Sequence, residues 1–173
     1  MKIGVKTLAN FLVEAKKNSW ISGAKEEVEF GIRKIKPYIS YFKNYDLCYR
    51  DQYVSGMLFF QGLEVVSRHL KQDDTEKWLP IWAMGYQGYF DTIKEKEEVN
   101  NVLKKALQAV PVDAPFRGPG RLELDEYLYV NSWSGDIKEF GGFERIFNLK
   151  DHVNNIVHRL DYRGKLINKL NIK

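Results

Sequence analysis

Cysteine is almost missing from this sequence. Cys48 is the single one among 173 residues, so no internal disulfide can form. It has no adjacent histidine and no Cys-x-x-Cys partner, and it reads as a packed thiol. Such cysteine usage suits a reducing cytoplasm, which is the location expected. Histidine is scarce as well: His69, His152 and His158 are the full set, with no pair at i, i+4, so no metal site is expected. No P-loop, no Gly-x-Gly-x-x-Gly pattern and no Gly-x-Ser-x-Gly elbow occurs, and no cofactor is assigned. Long apolar runs are lacking. Nothing reaches the roughly 18 residues a membrane helix needs. The apolar piece Leu8 to Val13 is broken by Asn10 and followed by Glu14, Lys16 and Lys17, too short and polar for a signal peptide.

What is present is an ordinary globular composition, 44% apolar and 29% charged, with a high aromatic share of 14%. Ten Tyr and four Trp point to strands or a pocket wall, because aromatic rings suit a pleated, half-buried surface. The net charge of +4 is a mild basic bias. Its clearest run, Arg163 to Lys173, holds four basic residues and no acid. That run reads as a solvated end, with a nucleic-acid or anionic-surface contact as the alternative. Homo-oligomerisation is left open.

The dominant feature is self-similarity. Tyr49-Arg-Asp51-Gln-Tyr53 returns as Tyr129-Val-Asn131-Ser-Trp133, and Phe60-Gln-Gly62-Leu-Glu64-Val-Val66 as Phe140-Gly-Gly142-Phe-Glu144-Arg-Ile146. Both are offset by 80 residues (49 to 129, 64 to 144). Trp82-Ala-Met84-Gly-Tyr86-Gln-Gly88 returns as His158-Arg-Leu160-Asp-Tyr162-Arg-Gly164, offset by 76 (86 to 162). Each copy reads as three strands, with period-2 faces Tyr49/Asp51/Tyr53, Phe60/Gly62/Glu64/Val66 and Trp82/Met84/Tyr86/Gly88. Turns are expected at Ser55-Gly56, over the polar run 71–77, at Ser134-Gly135-Asp136 and at Lys150-Asp151.

Around the copies, Leu8, Phe11, Leu12 and Ala15 predict a helix over 6–17, capped by Thr7. Val28, Phe30 and Ile32 predict one strand and Tyr38 to Phe42 another, with a turn over Lys43 to Asp46. Val99, Val102, Leu103, Ala106, Leu107 and Val110 predict a second helix over 92–110, stopped by Pro111. A Gly/Pro linker over 111–121 follows; it is either a plain connector or a stiff frame presenting Arg117 to an anion or a buried carboxylate. The expected fold is α+β: one domain over 1–173, an antiparallel β-sheet built from two similar three-stranded units (45–90 and 122–167), with an N-terminal helix and a central helix packed on it.

These segments resemble an uncharacterised prokaryotic family, the domain of unknown function numbered five thousand six hundred and eighty. The resemblance rests on Leu12-Val-Glu-Ala-Lys-Lys-Asn18, Tyr49-Arg-Asp-Gln-Tyr53, Phe60-x-Gly62-x-Glu64-x-Val66 and Trp82-Ala-Met84-Gly-Tyr86-x-Gly88. It continues through Leu103-x-x-Ala106-Leu107, Pro115-x-Arg117-Gly118-Pro119, Gly135-Asp136, Phe140-x-Gly142-x-Glu144-x-Ile146 and Tyr162-x-Gly164. Departures are Leu63 and Phe143 within Gly-x-Glu, and the stretch 71–78, which looks inserted. The resemblance implies an α+β fold with a repeated β-unit and no established activity. Some relatives are fused behind a helix-turn-helix domain, which implies a role beside transcription; none is expected in this chain.

Glu64 lies inside the apolar run 57–66, where an unpaired carboxylate costs several kcal/mol. It must therefore be paired, protonated or at an edge, and Glu144 holds the matching place. Arg50, Arg117 and Arg159 are candidate partners. If a two-fold relates the copies, both carboxylates face one cleft; otherwise each forms a structural ion pair. Asp51 and Asn131, among Tyr49, Tyr53, Trp82, Tyr129 and Trp133, form either a pocket wall, with Arg117, or a sheet face under the helices. The leading expectation is a small-molecule-binding or sensing domain with its pocket between the two units. The alternatives are a hydrolase or isomerase using Glu64 and Glu144 as acid and base, and a nucleic-acid or protein-interaction module.

Overall fold

The computed structural model describes residues 3–42, 45–72, 75–91, 96–150 and 155–168. It is mostly antiparallel β-sheet with two α-helices. The N-terminal helix α1 spans Val5–Lys17 and buries Leu8, Phe11, Leu12 and Ala15, the stripe read from the sequence. Lys16 is buried with them. Gly4 caps the helix with no side-chain bond, and Thr7 lies inside the first turns, so the expected Thr7 cap is incorrect. The central helix α2 spans Lys96–Gln108 and buries Val99, Val102, Leu103, Ala106 and Leu107. Residues 92–95 of the expected helix lie outside the described residues. Acids Glu97 and Glu98 in its first turn and Lys105 in its last suit the helix dipole.

Three short strands come first: β1 (Glu26–Glu29), β2 (Ile32–Ile35) and β3 (Tyr38–Phe42). The single strand expected through Val28, Phe30 and Ile32 is in fact a hairpin. Phe30 and Gly31 form its two-residue turn, with φ of 49° and 79°. Positive φ at both turn residues matches the twist of the strands but is unusual for Phe, which is why the alternation reads straight through it. Then come β4 (Tyr45–Ser55), β5 (Phe59–Gln72) and β6 (Thr75–Phe90), a long meander. The polar run expected to form a loop pairs instead, Lys71 with Glu76 and Gln72 with Thr75, and its residues 73 and 74 lie outside the described residues. Pro80 is accommodated where the β5–β6 register shifts, between Val66 and Ser67.

After α2 and the linker come β7 (Arg121–Leu124), β8 (Tyr127–Asp136), β9 (Glu139–Asn148) and β10 (Asn155–Leu166). The expected turn at Ser134-Gly135-Asp136 lies within β8, and the chain reverses one step later, at Ile137 and Lys138. The strand order is β1-β2-β4-β5-β6-β10-β9-β8-β7, with β3 also on β4. Both helices pack on one face. Around α1, Leu12 and Phe11 meet Leu47, Tyr49, Val66, Trp82 and Met84. Around α2, Leu103 and Ala106 meet Phe90, Tyr127, Tyr129 and Ile146.

The registers explain the Phe-x-Gly-x-Glu and Tyr-x-Gly spacing. Gly62 faces Tyr86 and Gly88 faces Phe60; Gly142 faces Tyr162 and Gly164 faces Phe140. In each pair the ring lies across the place where a glycine Cβ would stand. The glycines are therefore slots that let aromatic rings lie flat on the neighbouring strand. The carboxylate two residues beyond each slot falls on the same buried face. Thus Glu64 stands beside Asp51, and Glu144 beside Asn131.

Gly62→Ala should force Tyr86 out of its slot and cost about 1–3 kcal/mol. Gly85→Ala, where a Cβ meets nothing within 4 Å, should be neutral. Urea unfolding of both variants checks this; equal effects would remove the slot explanation.

Candidate functional site

Below the helices, on the covered face, six ionisable side chains form a buried line. Lys16 descends from α1 onto the carboxylate of Glu64. Arg117 reaches Glu64 from the other side, Nη1 to Oε1 at 3.9 Å, and donates twice to Glu144, from Nε at 2.9 Å and from Nη2 at 3.1 Å. Tyr129 donates to Glu144 at 2.7 Å, and His158 Nε2 lies 3.1 Å from its Oε1. The two glutamates thus share one guanidinium. Each of these ionisable groups is at most 6% exposed.

Local structure places each member. The linker over 114–118 is buried, anchored by Phe116 stacked on Phe140 with ring centres 3.7 Å apart. That stacking aims Arg117 inward, to a buried carboxylate. A β-bulge between Ile156 and His158 turns both Val157 and His158 into the core. His158 stacks on Phe60, and its Nδ1 has no hydrogen-bond partner among the described residues. A proton there would be buried and unmatched, so Nε2–H is the donor to Glu144.

The halves of this line differ in what surrounds them. Glu144 accepts from four donors, and its neighbours Tyr129 and Asn131 are engaged too. Tyr129 Oη accepts the Gly118 N–H at 2.9 Å, Asn131 Nδ2 donates to the Gly118 carbonyl at 2.8 Å, and Tyr162 Oη donates to Asn131 Oδ1 at 2.8 Å. The linker fills this side. Beside Glu64 the corresponding groups border a cavity of about 330 Å³. Tyr49, Asp51, Glu64 and Tyr86 form its floor, Lys16 and Arg117 its ends, and Leu103 and Leu107 of α2 its roof. Tyr86 Oη donates to Asp51 Oδ1 at 2.8 Å. Tyr53 and Arg33 stand at the cavity too, both bonded to Glu26, at 2.7 Å and 3.3 Å.

Protonation follows from these contacts. Burial alone would raise Glu144, but the Arg117 charge and then His158 hold it well below the usual carboxylate range. Burial pushes the Lys16 ammonium down, and Glu64 restores only part of that. Burial, then the Glu64 charge, push Asp51 up to about 7 despite the Tyr86 bond and the Lys16 and Arg117 charges.

Of the residues singled out from the sequence, Tyr49, Asp51, Tyr53, Glu64 and Arg117 line the cavity. Tyr129, Asn131 and Glu144 are sealed under the linker. Trp82 is in the core, stacked on Phe140, and Trp133 lies toward the end of β8, 36% exposed. Arg50 and Arg159 do not reach either glutamate; Arg159 lies over the Tyr89 ring instead. Lys16 was overlooked. Its signal was its spacing of four from Leu12, which puts it on the buried stripe. His158 was overlooked too; its signal was its alternation with Leu160 and Tyr162, at the place Trp82 holds in the matching stretch. Among the described residues no cluster of three metal-ligating side chains occurs, and no helix is long and apolar enough to cross a membrane.

Arg117→Met should cost about 3–5 kcal/mol, because it strands Glu144 as an uncompensated buried charge. The pair Arg117→Met with Glu144→Gln should recover much of it in the same urea titrations. Since the folded value of Glu144 is depressed, its contribution is present above about pH 4 and lost as pH falls below. Acid unfolding of Glu144→Gln should lack that loss. Asp51 has the opposite sign: its folded value is raised, so the folded state sheds stability as pH climbs from about 4 to 7. Asp51→Asn should therefore raise Tm by a few degrees at pH 8 relative to the parent and not at pH 4.

No curated protein and no solved structure matches the chain. A family model, Domain of unknown function (DUF5680), matches residues 51–167, from Asp51 in β4 past the end of β10. It includes Glu64, Arg117, Glu144 and His158 and leaves α1 with Lys16 outside. By that match over two thirds of its length, the chain belongs to the uncharacterised DUF5680 family.

Proposed function

We propose that this protein is a small-molecule-binding domain whose ligand sits in the cavity over β4, β5 and β6, beneath α1 and α2. The observation that carries the reading is the contrast between matching positions. We read β4–β6 and β8–β10 as two copies of one unit. The β6–β10 register supports this: Tyr86 pairs with Tyr162, and the pairs Gly88–Leu160 and Met84–Gly164 exchange when the copies are swapped. In the second copy the chain's own linker fills the space over Glu144 and Asn131. In the first, the same kinds of group face a cavity of a size that suits a small ligand, with aromatic walls and a few convergent polar atoms. The cavity lies over the first unit rather than midway between the two; Leu160 is the contribution of β8–β10 to its lining.

An enzyme using Glu64 and Glu144 as acid and base fits the geometry less well. Glu144 is 0% exposed and engaged by Arg117, Tyr129 and His158, which leaves no face for a substrate. A nucleic-acid module also finds less support. On the uncovered sheet face, Arg145 pairs with Asp161, Arg163 with Glu139 and Arg121 with Glu123, so much of the basic charge is already matched.

A thermal-shift screen with a metabolite library should yield ligands that raise Tm. Asn100→Trp, which puts an indole at the mouth beside Lys96 and Leu103, should abolish those shifts without lowering Tm itself. A screen blank for the parent protein, or hits that survive Asn100→Trp, would count against this cavity as the site.

A further inference from the structure

We infer that the cavity takes a small organic cation with paired N–H donors, of the amidine, guanidine or primary amine class, held by Asp51 and Tyr49. This inference rests on the binding reading above and deepens it.

The second unit displays what its own version of the site binds. Tyr129 donates its O–H to Glu144 and turns a lone pair to an N–H, that of Gly118. Asn131 fixes its Oδ1 on Tyr162 and turns its Nδ2 to a carbonyl, that of Gly118. The occupant there is the backbone of Gly118: one donor, one acceptor. In the first unit Tyr49 stands toward Glu64 as Tyr129 does toward Glu144: both tyrosines are buried, and burial and then the neighbouring glutamate charge push each hydroxyl up. Asp51 fixes its Oδ1 on Tyr86 as Asn131 does on Tyr162. Lys16 takes the place of a second cation on the glutamate, as Arg117 does on Glu144.

One atom differs in kind. Where Asn131 offers Nδ2, a donor, Asp51 has Oδ2, an acceptor. An occupant that repeats the Gly118 arrangement presents a donor to Tyr49 Oη, and the exchange of Nδ2 for Oδ2 asks it for a second donor at Asp51. Two adjacent donors with no acceptor describe an amidinium, a guanidinium or an ammonium.

Charge agrees with hydrogen bonding. The groups facing Asp51 are Glu64 on β5, Tyr86 on β6, Tyr49 and Tyr53 on β4, Lys16 on α1 and Arg117 from the linker. Arg33 on β2 is engaged by Glu26, and Lys96 on α2 donates to the Met57 carbonyl at the rim. With Asp51 neutral, the buried cations Lys16 and Arg117 balance the anions Glu64 and Glu144. Ionising Asp51 leaves one buried negative charge uncompensated, so a monocation completes the site. Aromatic rings of Tyr49, Phe60, Tyr86 and Phe90 around the cavity favour a flat cation by their quadrupoles. The same carboxyl is raised by burial, so the cation competes with a proton for it.

The test uses the full chain and three isosteric probes: benzamidine, cationic at every pH used, benzamide and benzoate. Calorimetric titration at pH 8 should show benzamidine binding at least tenfold tighter than benzamide, with no heat from benzoate. Between pH 8 and 6 its affinity should fall roughly tenfold, as a proton claims Asp51. Asp51→Asn, which recreates the Asn131 arrangement and keeps the hydrogen bond to Tyr86, should remove benzamidine binding while its Tm shows it folded. Overturning results are absent benzamidine binding, equal binding to Asp51→Asn, or tighter binding of benzoate. Benzoate binding, or benzamide binding as tight as that of benzamidine, that Asn100→Trp abolishes would overturn the cation while leaving the cavity a binding site. A blank with all three probes and in the metabolite screen would remove both.

Discussion

The structure depends on one guanidinium. Arg117 stands between Glu64 and Glu144, both sealed from water, and neither carboxylate has another arginine. Burying carboxylates costs several kcal/mol each unless cations and donors replace the lost hydration. The chain meets that demand from three separate segments: Lys16 from α1, Arg117 from the linker and His158 from β10. The first helix and the linker are thus tied to the sheet by charge as well as by apolar packing. A linker rich in Gly and Pro would otherwise run over the surface; here Ala114, Phe116 and Arg117 are buried.

The same demand divides the sheet into a closed side and an open side. Around Glu144 the carboxylate, Tyr129, Asn131 and the Gly118 backbone are matched with one another within the chain, so that region holds the fold together. Around Glu64 the helix brings one ammonium but no backbone, and space is left beside Asp51. Asp51 stands beside Glu64, and Asn131 beside Glu144, each with a tyrosine bond, and this exchange of acid for amide is where the two sides differ in chemistry. That difference gives the cavity its excess of acceptors.

Much of this was legible beforehand. The offset of 80 residues located the strands, and period-2 spacing put Glu64 and Glu144 on the buried face beside Asp51 and Asn131. The cost of an unpaired carboxylate in an apolar run demanded a cation, and Arg117 was among those named. The 3.6-residue stripes of α1 and α2 were read correctly to within a few residues. What misled the reading was local. Phe30 sits in a turn that ordinarily takes Asn or Gly, and a polar stretch continued as a β-ladder because cross-strand backbone bonds do not depend on side-chain polarity.

By itself, then, the sequence determined the buried face, the paired acids and the need to neutralise them, since alternation and desolvation act on neighbours along one strand. Which cations would come, and from where, was decided only by tertiary structure. Lys16 reaches Glu64 across 48 positions, and Arg117 reaches Glu144 across 27. Only in three dimensions does the linker fill one site and leave its counterpart empty, because that depends on where a connecting segment runs across a finished sheet, and no periodicity within the segment records its route.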